Sequence, residues 1–120
     1  MYMAYIARKV EDVSILDLEG EIDLHKSPEV RSEIGKLIAR KDKSVVINFQ
    51  KVTYIDSSGL ATMIDAFQKI RTYGGKLALM SLTKPVRSVF EVSRLDKFFP
   101  IFEEESSAIL SFRSSATPTV

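Results

Sequence analysis

The chain has 120 residues, a length typical of a single domain with one hydrophobic core. Its 17 Lys and Arg residues nearly balance its 16 Asp and Glu residues, so the net charge of +1 leaves no excess to attract nucleic acid or an anionic membrane. The absence of cysteine and the presence of one histidine exclude disulfides, thiolate metal sites and histidine-rich metal sites. No apolar run reaches the roughly 18 residues of a membrane span, and the N-terminus has no apolar signal-peptide core. We expect a cytoplasmic domain that needs no cofactor, binds no nucleic acid directly and does not insert into a membrane.

The first predicted elements are two short strands, over residues 4–10 and 13–18. Only Glu11 and Asp12 separate them, and such a short connection joins antiparallel neighbours in a hairpin. Side chains alternate along the second strand, which puts Val13, Ile15 and Asp17 on one face and Ser14, Leu16 and Leu18 on the other.

Helices and strands alternate through the rest of the chain. Ser27, Pro28 and Glu29 supply an N-cap, a first-turn proline and a first-turn acid, and together they predict a helix start. Residues 44–49 are apolar on both faces, which indicates a strand inside the sheet. Pro100 indicates an edge strand, because proline cannot donate to a strand ladder. The elements predicted after the hairpin are a helix over 28–40, a strand over 44–49, a helix over 57–72, a strand over 76–82, a helix from Pro85, a strand over 98–102 and a helix over 103–112.

The element order β-β-α-β-α-β-α-β-α predicts an α/β fold with a mixed, mostly parallel β-sheet. Residues 114–120 are rich in Ser and Thr, so we expect one domain over residues 1–113 and a flexible tail over 114–120. An apolar stripe on the second helix is expected to face the core, and it consists of Leu60, Met63, Ile64, Phe67 and Ile70.

Two polar loops follow neighbouring strands of the predicted sheet. One covers residues 20–25 and contains Asp23, and the other ends at Asp56, Ser57 and the helix start. Because the carboxyl ends of parallel strands open onto one edge of a sheet, we expect Asp23 and Asp56 to converge beside Ser57.

The segment 56–59, Asp-Ser-Ser-Gly, has two interpretations. In the structural one, Asp and Ser cap a helix, and Gly59 lets that helix pack closely on its neighbour. In the functional one, Ser57 carries a phosphate that free backbone N–H groups and the positive end of the helix dipole stabilise. Residues 20–23 are either a turn with solvated acids or part of this site, and His25 is interpreted as a surface or capping residue.

Four segments occur in a specific order, and they are Leu18-Glu19-Gly20-Glu21-Ile22-Asp23, Val45-Val46-Ile47-Asn48-Phe49, Tyr54-Ile55-Asp56-Ser57-Ser58-Gly59-Leu60 and Gly74-Gly75 before a strand. Together they resemble the STAS domain of bacterial anti-sigma factor antagonists, over about residues 4–112. The resemblance implies a mixed sheet with helices packed largely on one face.

The resemblance also implies a partner-switching protein rather than an enzyme. Its unphosphorylated form would bind an anti-sigma factor that is also a serine kinase, and so release a sigma factor. The kinase would phosphorylate Ser57, and a partner phosphatase would reverse the change. Partner contacts are expected at Asp23, Asp56, Ser58 and Gly59, and the oligomeric state is open between a monomer and a weak dimer.

Two other functions stay open from the residues alone. A hydrolase would use Ser57 as nucleophile, His25 as base and Asp23 or Asp56 as the orienting acid, but the chain lacks the Gly-x-Ser-x-Gly turn of such enzymes. A STAS-domain scaffold, or a subunit of a stress-signalling or lipid-transport complex, would have the same fold without serine phosphorylation.

Overall fold

The computed structural model describes residues 5–116, which form five β-strands and four α-helices, with a short 3₁₀ turn at Leu95–Lys97. The strands are β1 (Ile6–Val10), β2 (Val13–Ile22), β3 (Ser44–Ile55), β4 (Lys76–Met80) and β5 (Ile101–Phe102). The helices are α1 (Ser27–Ala39), α2 (Ser57–Thr72), α3 (Lys84–Val92) and α4 (Glu105–Ala116).

The five strands form one sheet in the order β1-β2-β3-β4-β5. β1 is antiparallel to β2, whereas β2, β3, β4 and β5 pair in parallel with their neighbours. The predicted α/β fold with a mixed, mostly parallel sheet is therefore confirmed. Because β2, β3 and β4 run in the same direction, the loops after them open onto one edge of the sheet.

β2 and β3 are longer than the sequence predicts. They continue to Ile22 and Ile55, which pair with each other, although the predicted strands end at residues 18 and 49. Polar residues interrupt the apolar sequence in both extensions, and the pairing of β2 with β3 shifts register, once beside Gly20 at a φ of 81°. The polar loop predicted to begin at residue 20 therefore begins only after Ile22.

Apolar layers cover both faces of the sheet. The larger layer lies between the sheet and the helices α1, α2 and α3, and it includes Leu16 and Ile47. The smaller layer lies on the opposite face, where Ile15 and Val46 share a cluster with residues of α4. Three of the four described helices therefore share one face, as the resemblance implies, and the predicted facing of β2 is confirmed.

The stripe of α2 that faces the core differs from the predicted one. Met63 and Ile70 are fully buried, as predicted, but the rest of the buried face consists of the small residues Gly59, Thr62 and Ala66. The other predicted members are only partly buried at the margin of the larger layer, namely Leu60, Ile64 and Phe67. Small residues sit where a helix approaches its neighbours most closely, and a search for large apolar side chains overlooks them.

The C-terminal elements also differ from the predicted ones. The strand predicted over 98–102 shortens to the two residues of β5, which lies at the edge of the sheet as Pro100 predicted. The backbone of α4 continues to Ala116, so the predicted domain boundary at residue 113 falls inside this helix. The remainder of the predicted tail, 117–120, lies outside the described residues.

Candidate functional site

The helix α2 begins with a side-chain cap from Asp56. Oδ1 of this carboxylate accepts hydrogen bonds from the backbone N–H of Ser58 at 2.9 Å and of Gly59 at 3.1 Å. The Ser58 hydroxyl donates a third, charge-assisted bond to the same oxygen at 2.6 Å. The predicted capping role of Asp56 is therefore observed, because these bonds satisfy the donors that a helix start leaves unpaired.

The same hydrogen bonds keep Asp56 ionised. The Ser58 hydroxyl and the N–H groups of Gly59, Ser58 and Leu24 together lower the pKa of the Asp56 carboxyl, and they outweigh the opposing effect of its partial desolvation. At neutral pH the first turn of α2 therefore carries a fixed negative charge next to Ser57.

The two adjacent serines at the helix start have different surroundings. Ser57 is exposed, and its hydroxyl forms no hydrogen bond with any residue of the described range 5–116. Ser58 is half-buried, and its hydroxyl contacts both Asp56 Oδ1 and Ser27 Oγ, the latter at 2.9 Å. Ser57 is consequently the more accessible of the two serines, and its hydroxyl is the one without a hydrogen bond in the described chain.

The predicted cradle for a phosphate on Ser57 is only partly present. The N–H groups of Ser58 and Gly59 already bond to Asp56 Oδ1, and the N–H of Leu60 bonds to the Asp56 carbonyl oxygen at 3.0 Å. In the unphosphorylated structure, two of the N–H groups expected to hold the phosphate therefore already bond to the Asp56 carboxylate. A phosphate on Ser57 would project from the surface beside a like charge.

Asp23 organises the entrance to α1 rather than an open loop. Its Oδ1 accepts the backbone N–H groups of His25 at 3.0 Å and of Lys26 at 3.1 Å, and its carbonyl oxygen accepts the N–H and hydroxyl of Ser27, both at 2.8 Å. Ser27 was predicted to cap this helix, but it is the first helical residue, and its buried hydroxyl points back to Asp23. His25 is exposed, as predicted.

The loops that carry Asp23 and Asp56 meet at the carboxyl edge of the sheet, as predicted. The Asp56 N–H donates to the Ile22 carbonyl at 3.2 Å, and the hydroxyls of Ser27 and Ser58 lie 2.9 Å apart. The Ser27 hydroxyl contacts the Asp23 carbonyl, the Ser58 hydroxyl contacts Asp56, and the two hydroxyls contact each other. The two serines have one hydroxyl proton each, so two protons serve three contacts. The short bond from Ser58 to the ionised carboxylate holds its proton, so Ser27 divides its own between two acceptors.

Gly59 sits at the closest approach of α2 to the sheet. A Cβ there would lie 2.6 Å from Ile55 Cγ1 and 2.9 Å from the Ile22 carbonyl oxygen. The predicted packing role of Gly59 is therefore observed, and Gly59 is buried in this position.

Two exposed apolar side chains near the site were missed in the sequence. Leu24 in the Asp23 loop is 71% exposed, and Tyr54 near the end of β3 is 47% exposed. Tyr54 pairs across the strands with Glu21, so an apolar surface lies among acidic groups. In the sequence, the apolar residue Leu24 among polar neighbours in the Asp23 loop could have indicated this exposed surface.

The residues of the hypothetical hydrolase are not assembled for catalysis. The Ser57 hydroxyl has no hydrogen bond to His25, Asp23 or Asp56, and both acids are committed to backbone N–H groups. Within residues 5–116, no group of His, Asp and Glu side chains is arranged to hold a metal ion. In the same range, no helix has the length and apolarity required to cross a membrane.

A family model described as the STAS domain matches residues 4–108. The chain belongs to the STAS domain family. The anti-sigma F factor antagonist of Paenibacillus polymyxa is 32% identical to this STAS domain over 98 residues, which cover 81% of this chain and 84% of that protein. The anti-sigma-B factor antagonist of Bacillus subtilis is 24% identical over 104 residues, which cover 87% of this chain and 94% of that protein.

Solved structures share the fold of this STAS domain. SpoIIAA in its unphosphorylated form matches with a TM-score of 0.79 at 25% identity, covering 92% of this chain and 97% of that chain. An anti-sigma factor antagonist from Mycobacterium paratuberculosis matches with a TM-score of 0.84 at 24% identity, covering 91% of this chain and 92% of that chain. The Paenibacillus and Bacillus relatives are anti-sigma factor antagonists, a class of regulatory binding proteins, and this STAS domain is accordingly not an enzyme.

Proposed function

We propose that this STAS domain is an anti-sigma factor antagonist controlled by phosphorylation of Ser57. The unphosphorylated form binds an anti-sigma factor that is also a serine kinase, and this binding releases a sigma factor. Phosphorylation of Ser57 by that kinase ends the interaction, and a phosphatase restores it. Such a cycle takes place in the cytoplasm. The names of the Paenibacillus and Bacillus relatives support the antagonist role.

The observation that carries the phosphorylation proposal is the contrast between two adjacent serines. Ser57 is exposed and its hydroxyl is not bonded within the described chain, whereas Ser58 is half-buried and bonds to Asp56 and Ser27. A kinase has to bring a free hydroxyl to the γ-phosphate of its nucleotide, and Ser57 meets that condition without local unfolding. Independent support comes from SpoIIAA, which has been solved in unphosphorylated and phosphorylated forms.

The partner surface in this proposal is the carboxyl edge of the sheet around Ser57. Asp23, Asp56 and Ser58 border it, while Leu24 and Tyr54 provide exposed apolar area. Apolar side chains surrounded by polar groups are typical of protein interfaces, where the apolar centre supplies affinity and the charges supply orientation. Gly59 contributes indirectly, because it sets how close α2 lies to the sheet.

The phosphate acts in this proposal by repulsion at the interface. It adds about two negative charges and three oxygens beside the ionised Asp56, inside an area that binding would desolvate. The N–H groups of Ser58 and Gly59, which could help to neutralise it, already bond to Asp56, so much of the added charge faces the partner. The phosphate therefore weakens binding without unfolding α2.

The acceptor assignment is tested by incubating the STAS domain with ATP and the anti-sigma factor kinase of its own host, followed by mass spectrometry of peptides. We expect one added phosphate on Ser57 in the parent and in Ser58→Ala, and none in Ser57→Ala. Ser58→Ala is the matched control, since it removes the neighbouring hydroxyl and leaves the acceptor. A phosphate on Ser58, or no phosphate on the parent, would overturn the proposal.

A further inference from the structure

A cavity lies at the end of α2 opposite to Ser57. Its volume is about 590 Å³, and it is bounded by the C-terminal part of α2, the start of β4, the segment before β5, and α4. Four aromatic side chains line it, namely Phe67, Phe98, Phe102 and Phe112. A mainly apolar cavity of this size lies within the range of sites that bind small molecules.

The cavity exists because β5 is too short to cover β4. β5 pairs only with Leu79 and Met80, which leaves the outer edge of β4 from residue 76 to 78 without a neighbouring strand. The N–H groups of Leu79 and Ser81 bond to the β5 side, at Pro100 and Phe102. Alternation along the strand directs the Leu77 N–H to that side as well, where the described backbone offers no acceptor. The cavity wall therefore presents a main-chain donor.

Two cations stand at the rim of the same cavity. Arg71 and Lys76 are both exposed cavity-lining residues, and neither forms an ion pair with a residue in the range 5–116. By contrast, Lys69 in the same last turn of α2 forms an ion pair with Asp65 at 3.0 Å. A cation at this helix end can therefore have an acidic partner. Among the described residues, those that line the cavity include no carboxylate side chain.

We propose that this cavity binds a small amphipathic carboxylate with an alkyl or aryl body. The carboxylate lies between Arg71 and Lys76, and the body lies among the aromatic rings of the cavity wall. Arg71 and Lys76 have no ion-pair partner among the described residues, although Arg71 lies over the Phe67 ring at 5.9 Å. These two cations and the Leu77 N–H favour an anionic head, and the exposed ring of Phe98 loses its contact with water when the body enters. This site is separate from Ser57 and goes beyond the antagonist function.

The proposal is tested by calorimetric titration of the STAS domain with monomeric decanoate, and with decanol as the uncharged control of equal chain length. We expect decanoate to bind at least fivefold more tightly than decanol, and added salt to reduce that preference. The double variant Arg71→Gln, Lys76→Gln should lose at least fivefold in decanoate affinity. Lys84→Gln, at an exposed lysine on α3, should bind like the parent.

Two further measurements establish where decanoate binds and whether its binding is independent of Ser57. Amide chemical shifts should change on decanoate addition at residues 74–78 and leave the edge around Ser57 unchanged. Ser57→Ala should bind decanoate like the parent, so a failure of the phosphorylation proposal would leave this result standing. Absence of binding, equal affinity for decanol, or an unchanged affinity of the folded double variant would overturn the proposal.

Discussion

Replacing Gly59 by alanine tests how tightly the start of α2 is held against the sheet. The new Cβ would lie 2.6 Å from Ile55 Cγ1, 2.9 Å from the Ile22 carbonyl oxygen and 3.0 Å from Ile22 Cγ2. The carbonyl cannot move away freely, because it accepts the Asp56 N–H at 3.2 Å. Overpacking costs about 1 to 3 kcal/mol, and contact with backbone places this variant at the upper end of that range. The higher helix propensity of alanine offsets about 1 kcal/mol, so we expect a net loss of about 2 kcal/mol.

Gly35 provides the matched control within the same protein. It lies in the interior of α1, and a Cβ there would meet nothing within 4 Å. Gly35→Ala should therefore show only the gain from helix propensity and from a less flexible unfolded chain, about 0.5 to 1 kcal/mol. The same substitution is thus expected to have opposite signs at the two positions.

Thermal and urea unfolding of the parent and both variants measure this difference. A loss of about 2 kcal/mol corresponds to a fall of about 8 °C in the midpoint for a domain of this size, whereas Gly35→Ala should raise it slightly. If Gly59→Ala were as stable as the parent or more so, the close approach of α2 to Ile22 and Ile55 would be refuted.

Three other substitutions test the packing of α2 and the electrostatics of Asp56 and Arg8. The free energy of unfolding of each variant is measured in urea, and for the last two it is measured as a function of pH. Phe67→Ala should lower the free energy of unfolding by about 2 kcal/mol, less than the about 3 to 5 kcal/mol lost for a fully buried Phe, because the Phe67 ring is only partly buried against Phe98. A loss near about 5 kcal/mol would mean that Phe67 is a core residue. Asp56→Ala should cost about 1 kcal/mol at neutral pH through loss of the cap. Hydrogen bonds lower the pKa of Asp56, so its contribution to the free energy of unfolding is complete above the usual Asp pKa and falls as the pH drops below about 4. The stabilities of the parent and of Asp56→Ala should therefore converge in acid. Arg8 joins Asp17 and Glu105 at 2.6 Å each, and Arg8→Gln should cost up to about 1 kcal/mol. Burial raises the pKa of Asp17, but its hydrogen bonds, above all the one from Arg8, lower the pKa overall. The loss of stability in Arg8→Gln should therefore also become smaller in acid. A loss that stayed constant with pH would contradict its origin in the ion pair.

The order of the elements could be predicted because local periodicity determines it. Apolar residues occur on both faces of β2 and recur at helical spacing along α2, and the edge position of β5 followed from Pro100. The ends of β2 and β3 could not be predicted, because pairing between strands, rather than an apolar pattern, keeps Ile22 and Ile55 in the sheet.

The location of the candidate site could be predicted from the sequence. Its hydrogen bonds could not, because they depend on contacts between residues distant in sequence. Asp23 and Asp56 could be expected at one edge from strand direction alone. The difference between Ser57 and Ser58 depends on Ser27, a residue 31 positions from Ser58, and no spacing rule indicates that contact. The occupation of the helix N–H groups by Asp56 also required the side-chain geometry.

A phosphate on Ser57 should lower the affinity of this STAS domain for its anti-sigma factor kinase. Calorimetric titration of that kinase with the unmodified and the phosphorylated protein, each identified by mass spectrometry, measures it most directly. We expect a loss of at least ~2 kcal/mol, roughly thirtyfold in affinity, with unchanged folding stability. Ser57→Ala should retain binding, and Ser57→Asp should weaken it partly, since a carboxylate carries less charge than a phosphate. Equal affinities of the two forms would contradict the claim.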